Sequence, residues 1–311
     1  MAISDNLRGV GYMCLSMLAF TVNDTFMKAI TAEVPLFQVI FLRGVIAIAG
    51  LVVMGIATGA FRQRLEGGDW RLITLRSVAE IFATLTFLTA LLHMQLANLS
   101  AIMQALPLAV TLAAALVFGD RIGWRRMSAI VVGFVGVMII IRPGTEAFDI
   151  WSLMGVASVI CVVVRDLSVR RLGSHVPSVI VALGAAVMVA VMGLGLSLLS
   201  TEGMGRLFDG LTGWQALSTV QLAQIVAAGA FVIVGYLCAV TAMRWGDIGV
   251  VAPFRYTSLL WAILLGFAAF GQLPDGWTVV GSVIVVASGV YTLLRERAVR
   301  RATAAAARAG G

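Results

Sequence analysis

Ten runs of apolar residues, most of them about 20 long, follow one another along the chain with loops as short as Met94-Gln95. An α-helix rises ~1.5 Å per residue, so about 20 apolar residues cross roughly 30 Å of hydrocarbon. The runs predict helices near 7–30, 35–58, 72–93, 96–118, 125–142, 150–170, 177–199, 219–243, 247–270 and 276–295. They do not alternate apolar and polar residues, which excludes a membrane β-barrel. Only 12% of the 311 residues are charged, against about 25% in a soluble domain. With a mean hydropathy of +1.01, no material remains for a separate soluble domain. The expected fold is an all-α integral membrane protein of ten transmembrane helices. Asn23-Asp24 interrupt the first run and no Ala-x-Ala-like site closes it, so it reads as a permanent helix rather than a cleaved signal.

Short loops force successive helices to run antiparallel. The basic residues then choose an orientation, because cytoplasmic loops are enriched in Lys and Arg. With both termini in the cytoplasm, fifteen basic residues fall on the inner side and three (Lys28, Arg142 and Arg206) on the outer side. Four more, Arg43, Arg76, Arg165 and Arg255, fall inside spans. The net charge of +7 is thus spread over short loops and the tail, which argues against nucleic acid as a partner. The lipid bilayer is the partner it suits, and the Arg-rich tail reads as a segment held near anionic lipid. Six of the seven tryptophans lie at predicted span ends, as an interfacial aromatic belt requires.

The chain repeats itself. Asp24-x-x-x-Lys28 followed by Val34-Pro35 recurs as Asp166-x-x-x-Arg170 followed by Val176-Pro177, 142 residues on. Thr89-Ala90 matches Thr241-Ala242 and Gly119 matches Gly271 at an offset of 152, and Trp124 matches Trp277 at 153. The organisation expected is a first five-helix repeat over 1–146, a second over 147–296 and a basic cytoplasmic tail over 297–311. Five is odd, so the second half enters upside down. Inverted repeats are the common architecture of secondary transporters and provide two related arrangements for alternating access.

These features resemble the drug/metabolite transporter superfamily, EamA type. The resemblance rests on the two five-helix halves, on Leu42-Arg43-Gly44 in the second span, on Gly119-Asp120-Arg121-Ile122-Gly123-Trp124 after the fourth, and on Ile139-Ile140-Ile141-Arg142-Pro143-Gly144 closing the fifth. It covers nearly the whole chain. Gln272 stands where the family usually has an acidic residue, a departure in a loop. The resemblance implies transport of a small-molecule substrate across the cell inner membrane. The superfamily's substrates include amino acids, vitamins such as riboflavin, S-adenosylmethionine-type metabolites and drugs, moved in either direction.

Charged groups in hydrocarbon cost several kcal/mol unless they are paired or wet, so each marks a functional candidate. Counting residues from the helix ends places Arg43, Glu80, Gln104, Arg255 and Tyr256 at one level near the midplane. This is the expected substrate-binding set. Arginine suits planar oxyanions, and Glu80 would serve as counter-ion or carry protons as the coupling ion. A structural Arg43–Glu80 ion pair is the competing reading. Asp24 with Lys28, and Asp166 with Arg170, read as i,i+4 helix-end pairs or as one gate latch per face. Arg76, four residues before Glu80, reads as an interfacial or neutralising charge.

Other classes find little support. His93 and His175 lie at opposite ends of the membrane, and the sequence holds no HExxH or P-loop. Asp24 and Asp166 lie too far apart along the membrane normal to form a catalytic dyad. The expectation is no enzyme, no cofactor and no metal. A scaffold protein would not need midplane charges. The sequence decides neither the substrate, the direction, the coupling ion nor whether the chain forms a homodimer.

Overall fold

The computed structural model describes residues 3–63, 65–119, 123–145, 148–170, 176–198, 211–245 and 248–309. Among these residues the chain is helical and no strand occurs. The helices are α1 (Ile3–Ile30), α2 (Leu36–Ala57), α3 (Gly67–His93), α4 (Leu96–Met103), α5 (Leu106–Phe118), α6 (Trp124–Ile141), α7 (Trp151–Arg170), α8 (Ser178–Leu198), α9 (Thr219–Trp245), α10 (Ile248–Val251), α11 (Thr257–Phe270) and α12 (Gly276–Ala309). Nine spans among the described residues are long and apolar enough to cross a membrane, with α4 and α5 counted together. The tenth helix, α1, is 28 residues long. It carries polar groups that it turns inward: Ser16, Thr21 and Asn23 are buried.

Two spans are broken where proline enters. Gln104 and Ala105 separate α4 from α5, and Pro107 lies in the first turn of α5. Pro253 opens the 3₁₀ segment Ala252–Tyr256 between α10 and α11. Proline lacks the backbone donor and crowds the preceding turn, so the α-helix cannot run straight through. The breaks meet: the Gln104 side-chain amide donates to the Tyr256 carbonyl at 3.2 Å and to the Ser258 hydroxyl at 3.0 Å. At the other extreme, α12 continues unbroken to Ala309. The tail expected beyond 296 is therefore a helical extension of the last span.

Helix pairing follows small residues. The principal partners are α1 with α9, α3 with α7, α2 with α8 and α6 with α12. Between helices in lipid, close packing and interhelical hydrogen bonds replace the hydrophobic effect as the main attraction. Ser16 accordingly donates to the Gly235 carbonyl at 2.7 Å across the α1–α9 contact. Gly193 of α8 lies against the α2 backbone, where a β-carbon would stand 3.0 Å from the Phe41 nitrogen. Gly281 of α12 faces the Gly136 carbonyl of α6, with 2.6 Å left for a β-carbon.

A β-carbon at Gly281 would meet the Gly136 carbonyl and the Ile140 backbone nitrogen as well as the Ile140 side chain, so a side-chain shift alone cannot make room. Gly281→Ala should therefore lower stability by about 1–3 kcal/mol, the usual cost of overpacking. Gly195→Ala is the control, because a β-carbon added there would meet nothing within 4 Å. Thermal unfolding of the two purified variants should show a lower midpoint for the first and no drop for the second.

Candidate functional site

The turn between α1 and α2 lies on one membrane face and the turn between α2 and α3 on the other. A cavity of about 220 Å³ opens between α2, α3, α8 and α9. Its walls come from Arg43 to Leu51 of α2, Arg76 to Thr84 of α3, Ala182 to Val189 of α8 and Val232 to Tyr236 of α9. On α2 and α3 these stretches lie near mid-helix, and on α8 and α9 they lean toward the α2–α3 face, so the cavity sits near the middle of the bundle. Alanine and valine on α8 and α9 make an apolar wall. Arg43, Arg76, Glu80 and Tyr236 make the polar one.

The charged residues form two bonded groups across four helices, with Arg43 of one and Glu80 of the other on the same cavity wall. Asn23 of α1 donates to Asp24 at 2.9 Å and accepts from Arg43 of α2 at 3.2 Å. The charges bearing on Arg43 are those of Asp24 and Glu80. Glu80 of α3 lies 3.5 Å from the Arg76 guanidinium and 3.4 Å from that of Arg165 on α7. Arg165 in turn donates to Asp166 at 2.9 Å. Three arginines thus accompany three carboxyl groups, so basic and acidic side chains are matched in number. Such balance is what keeps ionised groups tolerable inside a membrane. The Glu80 contacts exceed the roughly 2.7–2.9 Å of tight charged hydrogen bonds, so its carboxylate is shared loosely between two cations.

Three buried polar atoms in these walls have no hydrogen-bond partner: Arg43 Nε, Arg76 Nε and the Tyr236 hydroxyl. All three side chains line the same cavity. A buried donor without a partner costs about 1–3 kcal/mol, so three around one cavity mark a place suited to a polar ligand.

The opposite face is closed by specific bonds. Gln38 of α2 exchanges two hydrogen bonds with the Gln215 backbone, at 2.9 and 3.1 Å. Gln215 and Gln221 both donate to Glu33. Trp214 donates to Ser197 and meets Phe41 edge-on. The rings of His93 and Trp151 stack 3.6 Å apart between α3 and α7. Arg142 at the end of α6 pairs with Asp275 before α12 at 2.6 Å.

The expected site residues divide into three groups. Arg43 and Glu80 come together on the cavity wall. Gln104 and Tyr256 meet each other instead at the crossing of the broken spans, with Tyr256 buried against Gly289. Arg255 is exposed and does not line the cavity, because the 3₁₀ segment turns Tyr256 inward and its neighbour outward. Of the gate residues, Asp24 and Asp166 stand one in each bonded group, each taking a hydrogen bond from the residue before it. Lys28 does not turn back to Asp24. It donates to the Leu91 carbonyl at 2.7 Å and to the Met94 carbonyl, because carbonyls at a helix C-terminus lack partners and attract cations. Arg170 ends α7, and its side chain lies outside the described residues, as do Asp120, Arg121 and Ile122 of the sequence motif. Sequence reasoning misses Tyr236 as a wall residue, whereas Arg165, next to Asp166, is legible as a residue able to extend that network. A signal for Arg165 is present, since it is one of four arginines inside spans. For Tyr236 there is none, since only packing decides which face of α9 turns inward.

A helical membrane bundle with charged side chains lining an internal cavity is compatible with transport, and comparison with known proteins points the same way. Residues 7–142 match the EamA-like transporter family. The S-adenosylmethionine uptake transporter of Rickettsia prowazekii is 21% identical over 299 residues, 95% of this chain and 96% of that protein. The riboflavin transporter of Vibrio cholerae is 25% identical, covering 92% of each chain. The pseudopaline exporter of Pseudomonas aeruginosa is 22% identical, covering 89% of this chain and 93% of that one. A protein of known crystal structure superposes with a TM-score of 0.60 at 21% identity, over 94% of this chain and 97% of its own. Over residues 7–142 the chain thus matches the EamA-like transporter family, and over nearly its whole length it is similar to proteins that are transporters.

Two outcomes follow from the pairs described. Glu80→Gln leaves Arg76 and Arg165 without their shared anion, and Arg165→Gln frees Glu80. A double-mutant cycle read by thermal or chemical unfolding should show the two substitutions coupled by about 0.5–3 kcal/mol, with the double variant less damaged than the sum of the singles. Asp275 is half-exposed outside the spans. Burial raises its carboxyl, but hydrogen bonds from Thr278 and the Arg142 charge outweigh that and hold it below its ordinary value of 3.8. A depressed carboxyl stabilises the folded state above the unfolded pKa and loses that contribution as pH falls through the folded one. Asp275→Asn should therefore lower the unfolding midpoint at pH 7, and the gap from wild type should close as the pH is brought well below 3.8.

Proposed function

We propose that this chain is a secondary transporter that carries a small polar metabolite across the inner membrane by alternating access, with the cavity between α2, α3, α8 and α9 as its binding site. The observation that carries this reading is the cavity itself: lined by ionised groups near mid-depth and separated from the α1–α2 face by a bonded seal. That is the form of one end state of an alternating-access cycle. The second end state would open the α1–α2 face and close the cavity side.

The helix pairing supports an inverted repeat of 1–146 on 147–296. Under the sequence offset α1 corresponds to α7, α2 to α8, α3 to α9 and α6 to α12. Exchanging the halves turns the α1–α9 contact into the α7–α3 contact and returns α2–α8 and α6–α12 to themselves. The broken spans correspond too, since Gln104 and Tyr256 are 152 residues apart and touch. With the basic loops in the cytoplasm, both termini are cytoplasmic and the cavity faces inward.

Arg43 and Glu80, with Arg76 and Tyr236, form the proposed binding wall. Asp24 and Asp166 serve as one member each of the two bonded groups that reorganise as the faces open and close, and Lys28 holds the closed face through the α3 terminus. Glu80 shares its charge loosely between two arginines, which suits it to exchange an arginine for a proton or for a substrate cation. Proton coupling and exchange without an ion both use that step.

Accessibility of engineered cysteines tests the reading. With Cys14, Cys161 and Cys238 replaced, a cysteine at Ala186 on the cavity wall should react with a membrane-impermeant thiol reagent from the cytoplasmic side of oriented vesicles. Labelling from the opposite side alone would overturn the orientation. In reconstituted vesicles Arg43→Ala and Glu80→Gln should each abolish solute uptake while the protein still inserts; wild-type uptake by both would overturn the site.

A further inference from the structure

The unsatisfied donors on the cavity wall say more about what enters. Arg43 uses one terminal nitrogen on Asn23, and Arg76 uses its two terminal nitrogens on the Val181 carbonyl and Glu80. Their Nε–H groups remain without partners, as does the Tyr236 hydroxyl. The three stand on three different helices, α2, α3 and α9, around one volume. These buried donors without acceptors belong to side chains that line one cavity, and two of the three are cations. The matching group is a planar oxyanion, for which arginine is suited by geometry as well as by charge.

The rest of the cavity limits what that oxyanion is attached to. Ala47, Ala182, Ala185, Val189, Val232 and Ile233 supply a wall without polar side-chain atoms. The volume of about 220 Å³ falls below the roughly 300–1,000 Å³ typical for drug-sized ligands. A phosphate ester would bring up to two negative charges into a set whose basic and acidic side chains are already matched in number. A carboxylate brings one, which Glu80 can offset by taking a proton or a cationic group of the ligand. We propose that the cavity takes a small monocarboxylate with a compact apolar body, its carboxylate received by Arg43, Arg76 and Tyr236. The assignment rests on reading this cavity as the substrate site, and it names the substrate class for that site.

The experiment is a thermal-shift titration of the purified full chain with a series of monocarboxylates from acetate to 3-phenylpropanoate, each beside the amine of the same skeleton. A ligand that binds only the native state raises the midpoint by mass action. At least one carboxylate should raise it, and its matched amine should not. The shift should need at least tenfold more ligand in Arg43→Gln and in Arg76→Gln. In Tyr236→Phe, which removes only one hydroxyl, affinity should fall about fivefold, as the loss of one hydrogen bond implies. Should either arginine variant fail to fold, the tyrosine variant and the carboxylate–amine comparison still decide. Arg255→Gln, off the cavity, should bind as wild type.

An amine that stabilises as well as its carboxylate overturns the proposal, and so does a carboxylate shift that survives both arginine substitutions. A flat series overturns it as well. Carboxylate binding with no movement of that compound across reconstituted vesicles would leave this assignment standing and overturn the transport reading. Transport of amines by a protein that binds no carboxylate would do the reverse.

Discussion

Charge in hydrocarbon is the constraint on which the rest of this structure depends. Asp24, Arg43, Arg76, Glu80, Arg165 and Asp166 sit within spans, and an isolated ion there is costly. Their mutual neutralisation decides which faces of α1, α2, α3 and α7 turn inward, because Arg43 must reach Asn23 beside Asp24 and Glu80 must reach Arg165. Once those faces are set, glycine and small residues determine how closely the remaining helices approach. The apolar residues, which occur on every side of every span, are too common to choose an orientation by themselves.

The same constraint shapes the energetics of the site. A buried ion pair is weak support for stability, since the desolvation of both partners offsets much of their attraction. The network is therefore better understood as a requirement for a polar cavity than as a device for holding the bundle together. Cohesion comes from interfaces such as Gly136 on Gly281 and Ser16 on Gly235. The long contacts of Glu80 belong to the first category. They leave a carboxylate that can change partners, which a rigidly bonded pair could not do.

The closed face uses different chemistry. Its bonds are amide to backbone, ring to ring and one exposed ion pair, made between loop segments and helix ends. Each is individually modest and exposed to water when broken, so the seal can open without stranding a charge in lipid. The two broken spans cross at Gln104 and Tyr256. Proline has already removed part of the backbone ladder at both breaks, so little further hydrogen bonding is lost if the spans flex there.

Hydropathy and loop length in the sequence located the ten helical runs, because a membrane helix is a local object whose hydrogen bonds close within itself. They did not locate the breaks inside two of them or the extension of α12 to Ala309. Residue counting from helix ends also brought Arg43 and Glu80 to one level, and a resemblance in short motifs pointed to the transporter family. Depth along a helix is readable from sequence, but rotation about its axis is not. Only the tertiary structure could turn Arg76, Arg165 and Tyr236 toward Glu80 and Arg255 away, send Lys28 to the α3 carbonyls rather than to Asp24, and join Gln104 to Tyr256 across 152 residues. Those choices depend on which neighbour each face meets, a long-range matter that no single span encodes.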